Sequence, residues 1–292
     1  MGDSQKILWK RPAHPDSYIP PNSFLSSLRK NPNFRPYTYW HVVALSLPAT
    51  QQLATIFIFL AVFRQLNEGT LDPLFLVGAT SVASVLGYSI WVAQTWLGGG
   101  YATLTLAHCG KHLRSSILIF LSLLVLSPVL KTLSAATSSD SIYALSAGLF
   151  FLNALLGDYR LGKVAPQLQE SLISVLSMNA AIASSVVLAS RLQQDVAVFA
   201  LILFSVQVFA LSPMLRRRFQ HTSHLRFRIT STMVLTSAAL FLSAFSFPRS
   251  ISLLFFMTFA AITFVAPGAL IWAQKFKNEI RGPWDVAVPK VN

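Results

Sequence analysis

Cysteine is nearly absent. Cys109 stands alone in 292 residues, which excludes an internal disulfide and any zinc site built from paired thiolates. Acid is scarce as well: ten Asp and Glu serve the whole chain, against 23 Lys and Arg. No carboxylate pair is arranged for acid–base catalysis, and no D-x-D pattern offers a metal site for a nucleotide sugar. The glycines Gly98, Gly99 and Gly100 lack the Lys-Ser/Thr of a phosphate loop and read as a connector. His221 and His224 are three apart but sit among arginines, without the further ligands that a metal requires. The residues therefore assign no catalytic group, no cofactor and no metal.

Charge of either sign is also sparse. Charged residues make up 11% of the chain, less than half of the roughly 25% found in soluble domains. Hydrophobic residues make up 53%. They gather into eight runs, at 42–63, 73–96, 115–133, 141–157, 171–190, 196–214, 229–247 and 250–272, each near the ~20 residues that cross a bilayer. Tyr37, Tyr39, Trp40, Trp91, Trp96 and Trp272 stand near run ends, where amphipathic rings prefer the interface. The fold class that follows is all-α, a polytopic membrane helix bundle of about eight transmembrane helices. Small residues in run five (Ala180, Ala181, Ala183, Ser184, Ser185) predict close helix packing inside the bundle, and run seven is similar. Asn179 and Gln207, polar within runs, predict hydrogen bonds between helices.

The net charge of +13 does not form one basic face for nucleic acid. It lies in the gaps between runs. Nineteen of the 23 Lys and Arg fall in the first forty residues, the tail, and the connections after runs two, four and six. The other four connections hold Arg64, Lys131, Arg191 and Arg249, one each. This asymmetry places both termini in the cytosol. Three segments result: residues 1–40, a cytosolic Pro-rich arm with a short interfacial helix starting near Asn22 and ending at Arg29 and Lys30; residues 41–273, the eight-helix transmembrane domain; and residues 274–292, a cytosolic tail.

Two stretches stand out. In Leu126–Ser146, Pro128 is expected to bend or loosen the end of run three, which lets Lys131 reach a membrane surface. Ser138, Ser139 and Asp140 are expected to cap the next helix, with Asp140 close enough to pair with Lys131. Ser127 belongs to the same junction. Arg216, Arg217 and Arg218, in the connection Leu215–Arg228, are expected to meet anionic lipid headgroups or an acidic partner. Asp158 ends run four, and Arg191 ends run five, where a cation offsets the helix dipole.

Five stretches in order carry a resemblance: WKRPAHPDSYIPPNSFLSSLRKN at Trp9–Asn31, SPVLKT with SSDSIYA inside Leu126–Ser146, SMNAAIASSVVLASRL at Ser177–Leu192, VQVFALSPML at Val206–Leu215, and KNEIRGPWD at Lys277–Asp285. Together they closely resemble the PIG-C family. The resemblance implies a multi-pass subunit of the complex that transfers N-acetylglucosamine from UDP-N-acetylglucosamine to phosphatidylinositol and so begins glycosylphosphatidylinositol anchor synthesis. It implies that the chemistry belongs to another subunit resembling PIG-A. It also implies partners resembling PIG-H, PIG-P, PIG-Q and PIG-Y, contact with membrane lipids including phosphatidylinositol, and residence in the endoplasmic reticulum. Trp284, within the last stretch, is a candidate for assembly or lipid contact alongside Ser127, Pro128, Lys131, Asp140, Asp158, Arg191 and Arg216–Arg218. Departures from the family pattern fall mainly in the connection after run two and at Asp3–Lys6. The alternative from another class is a polytopic lipid transporter or scramblase. A transferase with its own active site is a third reading.

Overall fold

The computed structural model describes residues 28–31, 35–97, 106–133, 137–159, 172–216, 225–278 and 280–281. Eight helical rods run through them. These are α1 (Tyr39–Asn67), α2 (Pro73–Leu97), α3 (Leu106–Leu133), α4 (Ser139–Leu155) and α5 (Leu172–Ala189), then α6 (Asp195–Arg216), α7 (Leu225–Ser246) and α8 (Arg249–Gln274). Five of them, α1, α2, α6, α7 and α8, are both long and apolar enough to cross a membrane. The described residues fall into two compact units: a smaller one drawn from the chain's two ends, up to Tyr39 and from Gly268, and a larger one, Trp40–Pro267.

The outer surface of the larger unit is apolar. Val85 and Leu86 on α2, Phe241 and Phe245 on α7, and Leu253 and Leu254 on α8 are all exposed. Water would not tolerate so much uncovered hydrocarbon, and lipid would. Polar side chains point inward instead. Thr50, Gln51 and Thr55 on α1, Ser184 and Ser185 on α5, and Thr232 and Ser243 on α7 are all buried.

Specific pairs fix the helix directions. Ser146 and Ser184 share a 3.0 Å hydrogen bond, and Asn153 Nδ2 donates to Ser177 Oγ at 3.0 Å, so α4 and α5 run antiparallel. Gln51 Nε2 donates to Thr232 Oγ1 at 2.8 Å and Gln65 Nε2 to Ser246 Oγ at 2.9 Å, so α1 and α7 run parallel. Thr50 meets Thr263 at 3.0 Å while Phe57 stacks on Phe255 with centroids 3.9 Å apart, which sets α8 antiparallel to α1. Phe59, fully buried, gathers Phe150 of α4 and Phe209 of α6 at 5.5 and 5.4 Å. The aromatic centre thus joins helices that lie far apart in sequence.

Two helices change pitch midway. In α6 the stretch Gln207–Leu211 is a π turn, closed by Ser212 N–H donating to the Gln207 carbonyl. In α8 the stretch Ala261–Val265 is another, closed by Ala266 N–H donating to the Ala261 carbonyl. Each is followed two residues later by a proline, Pro213 or Pro267. A proline ring collides with the carbonyl four residues back in an ordinary α-turn, and a widened turn moves that carbonyl away.

Pro128 is accommodated differently. The helix α3 continues through it to Leu133. Pro128 has no N–H for the Leu124 carbonyl, and Ser127 Oγ donates to that carbonyl at 3.2 Å instead. The expected loosening of the last turn is thereby offset by a neighbouring side chain. Helix α3 also begins at Leu106, well before the apolar run at 115, because Leu106–Arg114 continues the helix as a mildly polar entry.

In the smaller unit, Arg29–Lys30 (β1) pairs antiparallel with Ile280–Arg281 (β2). Gln274 accepts from Tyr37 N–H at 3.1 Å and donates to the Tyr37 carbonyl at 3.3 Å. Arm and tail, which the sequence presents as separate segments, are thus hydrogen-bonded to each other. Arg29 and Lys30 are extended rather than the end of a helix, since the tail supplies backbone partners. The start of that expected helix lies outside the described residues.

Candidate functional site

Four rods border a cavity of about 320 Å³ in the larger unit, with polar groups set among apolar walls. It is lined by Gln51 and Gln52 from α1, Asn153 near the end of α4 with Gly157, Asp158 and Tyr159 just beyond it, Ser174 and Ser177 from the start of α5, and Phe209, Pro213 and Arg216 from the second half of α6. Helix α4 stops at Leu155, and Leu156 N–H donates to the Leu152 carbonyl as its last helical bond. The chain then folds back. Tyr159 Oη donates to the Ala154 carbonyl, one of those left open by the helix end. Gly157 permits this return: a Cβ there would lie 2.6 Å from Tyr159 Oη.

Asn153 organises the floor. It is 1% exposed. Its Nδ2 donates to the Ser177 carbonyl at 2.8 Å and to Ser177 Oγ at 3.0 Å, and its Oδ1 accepts from Gln52 Nε2 at 2.9 Å. Ser177 Oγ donates back to the Asn153 carbonyl at 2.8 Å. Gln52 Oε1 in turn accepts from an Arg216 guanidinium nitrogen at 3.4 Å. One chain of hydrogen bonds therefore runs from α5 through α4 and α1 to the charged end of α6. Burial raises the Tyr159 phenol above its ordinary 10.0, with the positive charge of Arg216 pulling the other way. The neutral phenol is the form the cavity holds at physiological pH.

A second cavity, of about 700 Å³, lies further along α1. Its walls are Ile56, Phe57, Leu60 and Phe63 of α1, Ala147, Phe150 and Phe151 of α4, and Phe255 of α8. Arg64 and Glu68 stand at its end, paired at 2.5 Å, and Arg64 lies 5.5 Å from the centre of the Phe247 ring.

The sequence-derived candidates divide between two ends of the bundle. Asp158 and Arg216 come together in the polar cavity. Ser127, Arg191 and Asp140 gather at the other end of α4. There Ser138 caps α4, its Oγ accepting from Ser141 N–H at 3.4 Å, and Asp140 occupies the first turn, exposed, as expected. Arg191 donates to the Thr137 carbonyl at 3.1 Å, just ahead of that cap, and Ser127 Oγ lies 3.5 Å from the Asp195 carbonyl at the start of α6. The α5–α6 turn thus clasps the α3–α4 junction. Pro128 contributes by the carbonyl that it leaves to Ser127. Trp284, Arg217, Arg218 and the side chain of Lys131 lie outside the described residues, so the Lys131–Asp140 pair does too.

Gln207 makes the predicted bond between helices, accepting from Ser84 Oγ at 2.7 Å. Asn179 is exposed on α5, and Asn153 holds the inward position that Asn179 was expected to take. The residues that sequence reasoning missed are Gln51, Gln52, Asn153 and Ser177. Their one signal is amide and hydroxyl side chains inside otherwise apolar runs.

Fold and cavities define a multi-pass helical membrane protein whose helices are joined by buried amide and hydroxyl pairs. The chain belongs to the family described as phosphatidylinositol N-acetylglucosaminyltransferase, GPI2, whose model matches residues 5–285. It is 35% identical to the "Phosphatidylinositol N-acetylglucosaminyltransferase GPI2 subunit" of Schizosaccharomyces pombe, over 98% of this chain and 87% of that protein. It is 33% identical to a phosphatidylinositol N-acetylglucosaminyltransferase subunit of Homo sapiens, over 97% of this chain and 92% of the relative. The GPI2 subunit of Saccharomyces cerevisiae is 30% identical over 60% of this chain and 59% of its own length. No solved structure matches.

Proposed function

We propose that this chain is a non-catalytic, multi-pass subunit of the complex that transfers N-acetylglucosamine from UDP-N-acetylglucosamine to phosphatidylinositol, at the first step of anchor synthesis. The observation that carries this reading is how the polar groups within the helices are used. Buried Asn153, Ser177, Gln51 and Ser184, and half-buried Gln52, Gln65 and Gln207, are engaged in hydrogen bonds between helices. They hold a scaffold in shape and present a polar recess at one end. The chain lies in the endoplasmic reticulum membrane with eight spans and both termini in the cytosol. There it joins a catalytic subunit resembling PIG-A and subunits resembling PIG-H, PIG-P, PIG-Q and PIG-Y. The alternating helix directions support the eight spans, and the 19 basic residues on one set of connections support the orientation.

Two measurements test it. The chain purified alone should transfer no N-acetylglucosamine from UDP-N-acetylglucosamine to phosphatidylinositol, and the catalytic partner should gain transfer when the chain is added. Transfer by the chain alone would overturn the non-catalytic assignment. Glycan acceptors placed at either terminus should stay unmodified in cells, and efficient glycosylation there would invert the topology.

A further inference from the structure

The larger cavity, of about 700 Å³, is an apolar trough with one polar end. On α1, Leu53, Phe57, Leu60 and Arg64 follow one another at spacings of four, three and four, so they share one helix face. Tyr143, Ala147, Phe150 and Ala154 do the same on α4. Gln52 bonds to Asn153 and Phe59 meets Phe150, so the two helices run antiparallel and Arg64 comes level with Tyr143. The two alanines of α4 leave space that larger side chains would fill. Ile56, Phe57, Phe150 and Leu188 are buried along the trough, while Ala147 and Phe151 are exposed at its side. We propose that this trough seats a phosphatidylethanolamine molecule, with a tail between α1 and α4 and the zwitterionic headgroup against Arg64 and Glu68.

The shape selects a hydrocarbon chain. The lining runs along α1 from Leu53 to Glu68, about 22 Å at the helical rise. Spread over that length, the volume gives a mean section of about 30 Å². A partner's helix, 10–12 Å across, requires about 80 Å² or more. The trough is thus long and narrow. Its walls offer water few partners, and an unfilled space would forfeit the dispersion contacts of its lining. A lipid tail fills it from the exposed side.

The polar end selects the headgroup. Arg64 Nε donates to Glu68 Oε1 at 2.5 Å, and the guanidinium stands over the Phe247 ring. That bond uses one nitrogen and one oxygen. Among the described residues, the two terminal nitrogens of Arg64, Glu68 Oε2, the Asn67 amide and Tyr143 Oη make no hydrogen bond. Cation and anion side by side suit a headgroup that carries both charges. The guanidinium accommodates the phosphodiester. The ammonium has three N–H groups to donate, and Glu68 Oε2 and the Asn67 carbonyl oxygen accept them. A choline headgroup has no N–H to give, and an anionic headgroup meets like charge at Glu68. This end of α1 lies away from the cavity at Gln52 and Arg216, and the inference does not rest on the transferase reading.

The test uses the full chain in phosphatidylcholine nanodiscs and a phosphatidylethanolamine with a photoactivatable group midway along one tail. Labelling should map to α1 between Leu53 and Phe63 and to α4 between Ala147 and Ala154. Unlabelled phosphatidylethanolamine should compete better than phosphatidylglycerol or phosphatidylinositol, and water-soluble glycerophosphoethanolamine should not compete. Glu68→Gln should weaken competition by phosphatidylethanolamine about two- to fivefold, the scale of a partly exposed ion pair, and narrow its lead over anionic lipid. Ala147→Phe, which fills the trough from an exposed position, should abolish labelling in protein that keeps its thermal transition. Equal competition by every phospholipid would mean lipid that merely coats the bundle, and would overturn the inference. Labelling unchanged in both Glu68→Gln and Ala147→Phe would do the same. So would crosslinking, in the assembled complex, from a photoreactive residue at position 147 to a partner subunit's helix in place of lipid.

Discussion

Replacing Asn153 with Leu tests how much of the bundle rests on one amide. The side chain is 1% exposed and makes two donations to Ser177 and one acceptance from Gln52. Leucine keeps roughly the volume and adds hydrocarbon, so packing loss is small and the polar term dominates. Hydrogen bonds between membrane helices average about 0.6 kcal/mol and reach about 1.7. Three of them give a loss of about 2–5 kcal/mol. Gln52 keeps its contact with Arg216, and Ser177 Oγ keeps its bond to the residue 153 carbonyl, which places the expected value near the lower end.

The assay is reversible unfolding of the purified chain in mild detergent or bicelles, with Ser177→Ala alone and combined. For a chain of this size each kcal/mol moves the midpoint by about 2–4 °C, so Asn153→Leu should lower it by about 4–10 °C. The double variant should show a coupling of about 1 kcal/mol, because Asn153 and Ser177 bond to each other. Gln51→Leu, which breaks a separate joint with Ser231 and Thr232 on α7, should add to Asn153→Leu without coupling. A shift below about 0.5 kcal/mol for Asn153→Leu, or zero coupling to Ser177, would refute the view that this amide holds α1, α4 and α5 together.

Gly157→Ala should displace the Tyr159 ring, whose Oη would stand 2.6 Å from the new methyl, and destabilise the bundle by about 1–3 kcal/mol, read by the same unfolding transition. Tyr159→Phe in that background should recover part of the loss. Ser127→Ala should leave the Leu124 carbonyl unpaired and remove the approach to the Asp195 carbonyl of α6, and Arg191→Met should release the Thr137 carbonyl; both should reduce recovery of assembled complex while turnover per complex stays near normal. The Tyr159 phenol titrates above its ordinary 10.0 in the folded chain because burial favours the neutral form. Its contribution to stability should therefore be complete below pH about 10 and fall as pH rises further, and Tyr159→Phe should remove that alkaline component.

Much of the bundle was legible because apolar run length carries a direct physical signal. The eight runs coincide with the eight rods to within a few residues, apart from the early start of α3. The joints were less legible, because a hydrogen bond between helices depends on which helices become neighbours. Gln52 and Asn153 stand 101 positions apart, and Gln51 and Thr232 stand 181 apart. Nothing periodic links such positions. Asn179 is the instructive failure. Ser177, Ala180, Ala181 and Ser184 are buried at spacings of three, four and seven, so they define one face of α5. Asn179 lies off that face. The small-residue stripe was the better guide to the inward direction, and polarity alone was misleading. The π turns before Pro213 and Pro267 could be anticipated only as some local distortion, since proline kinks, breaks or widens a helix according to what its neighbours permit.

The recess at the end of α4 follows from a mismatch of lengths. Helix α6 has 22 residues, about 33 Å, against about 26 Å for the 17 residues of α4. The difference is more than one helical turn. Direct continuation of α4 would have filled that space with the side chains that follow Leu156. Gly157 ends the helix early and the folded-back Tyr159 caps the Ala154 carbonyl, so α6 up to Arg216 borders the cavity. The π turn at Gln207–Leu211 lies in the same stretch of α6 and re-aims the residues after it, Pro213 to Arg216, relative to a straight helix. Charge, cavity and helix distortion thus have one origin: a short helix beside a long one, each stopped or turned by a single residue type. Replacing Gly157 and Asp158 with Ala and Leu tests this origin. The methyl at 157 meets Tyr159 Oη, so the expected outcome is a loss of about 1–3 kcal/mol in the unfolding transition. Stability unchanged or raised would refute the view that Gly157 ends α4 by making room for the folded-back Tyr159.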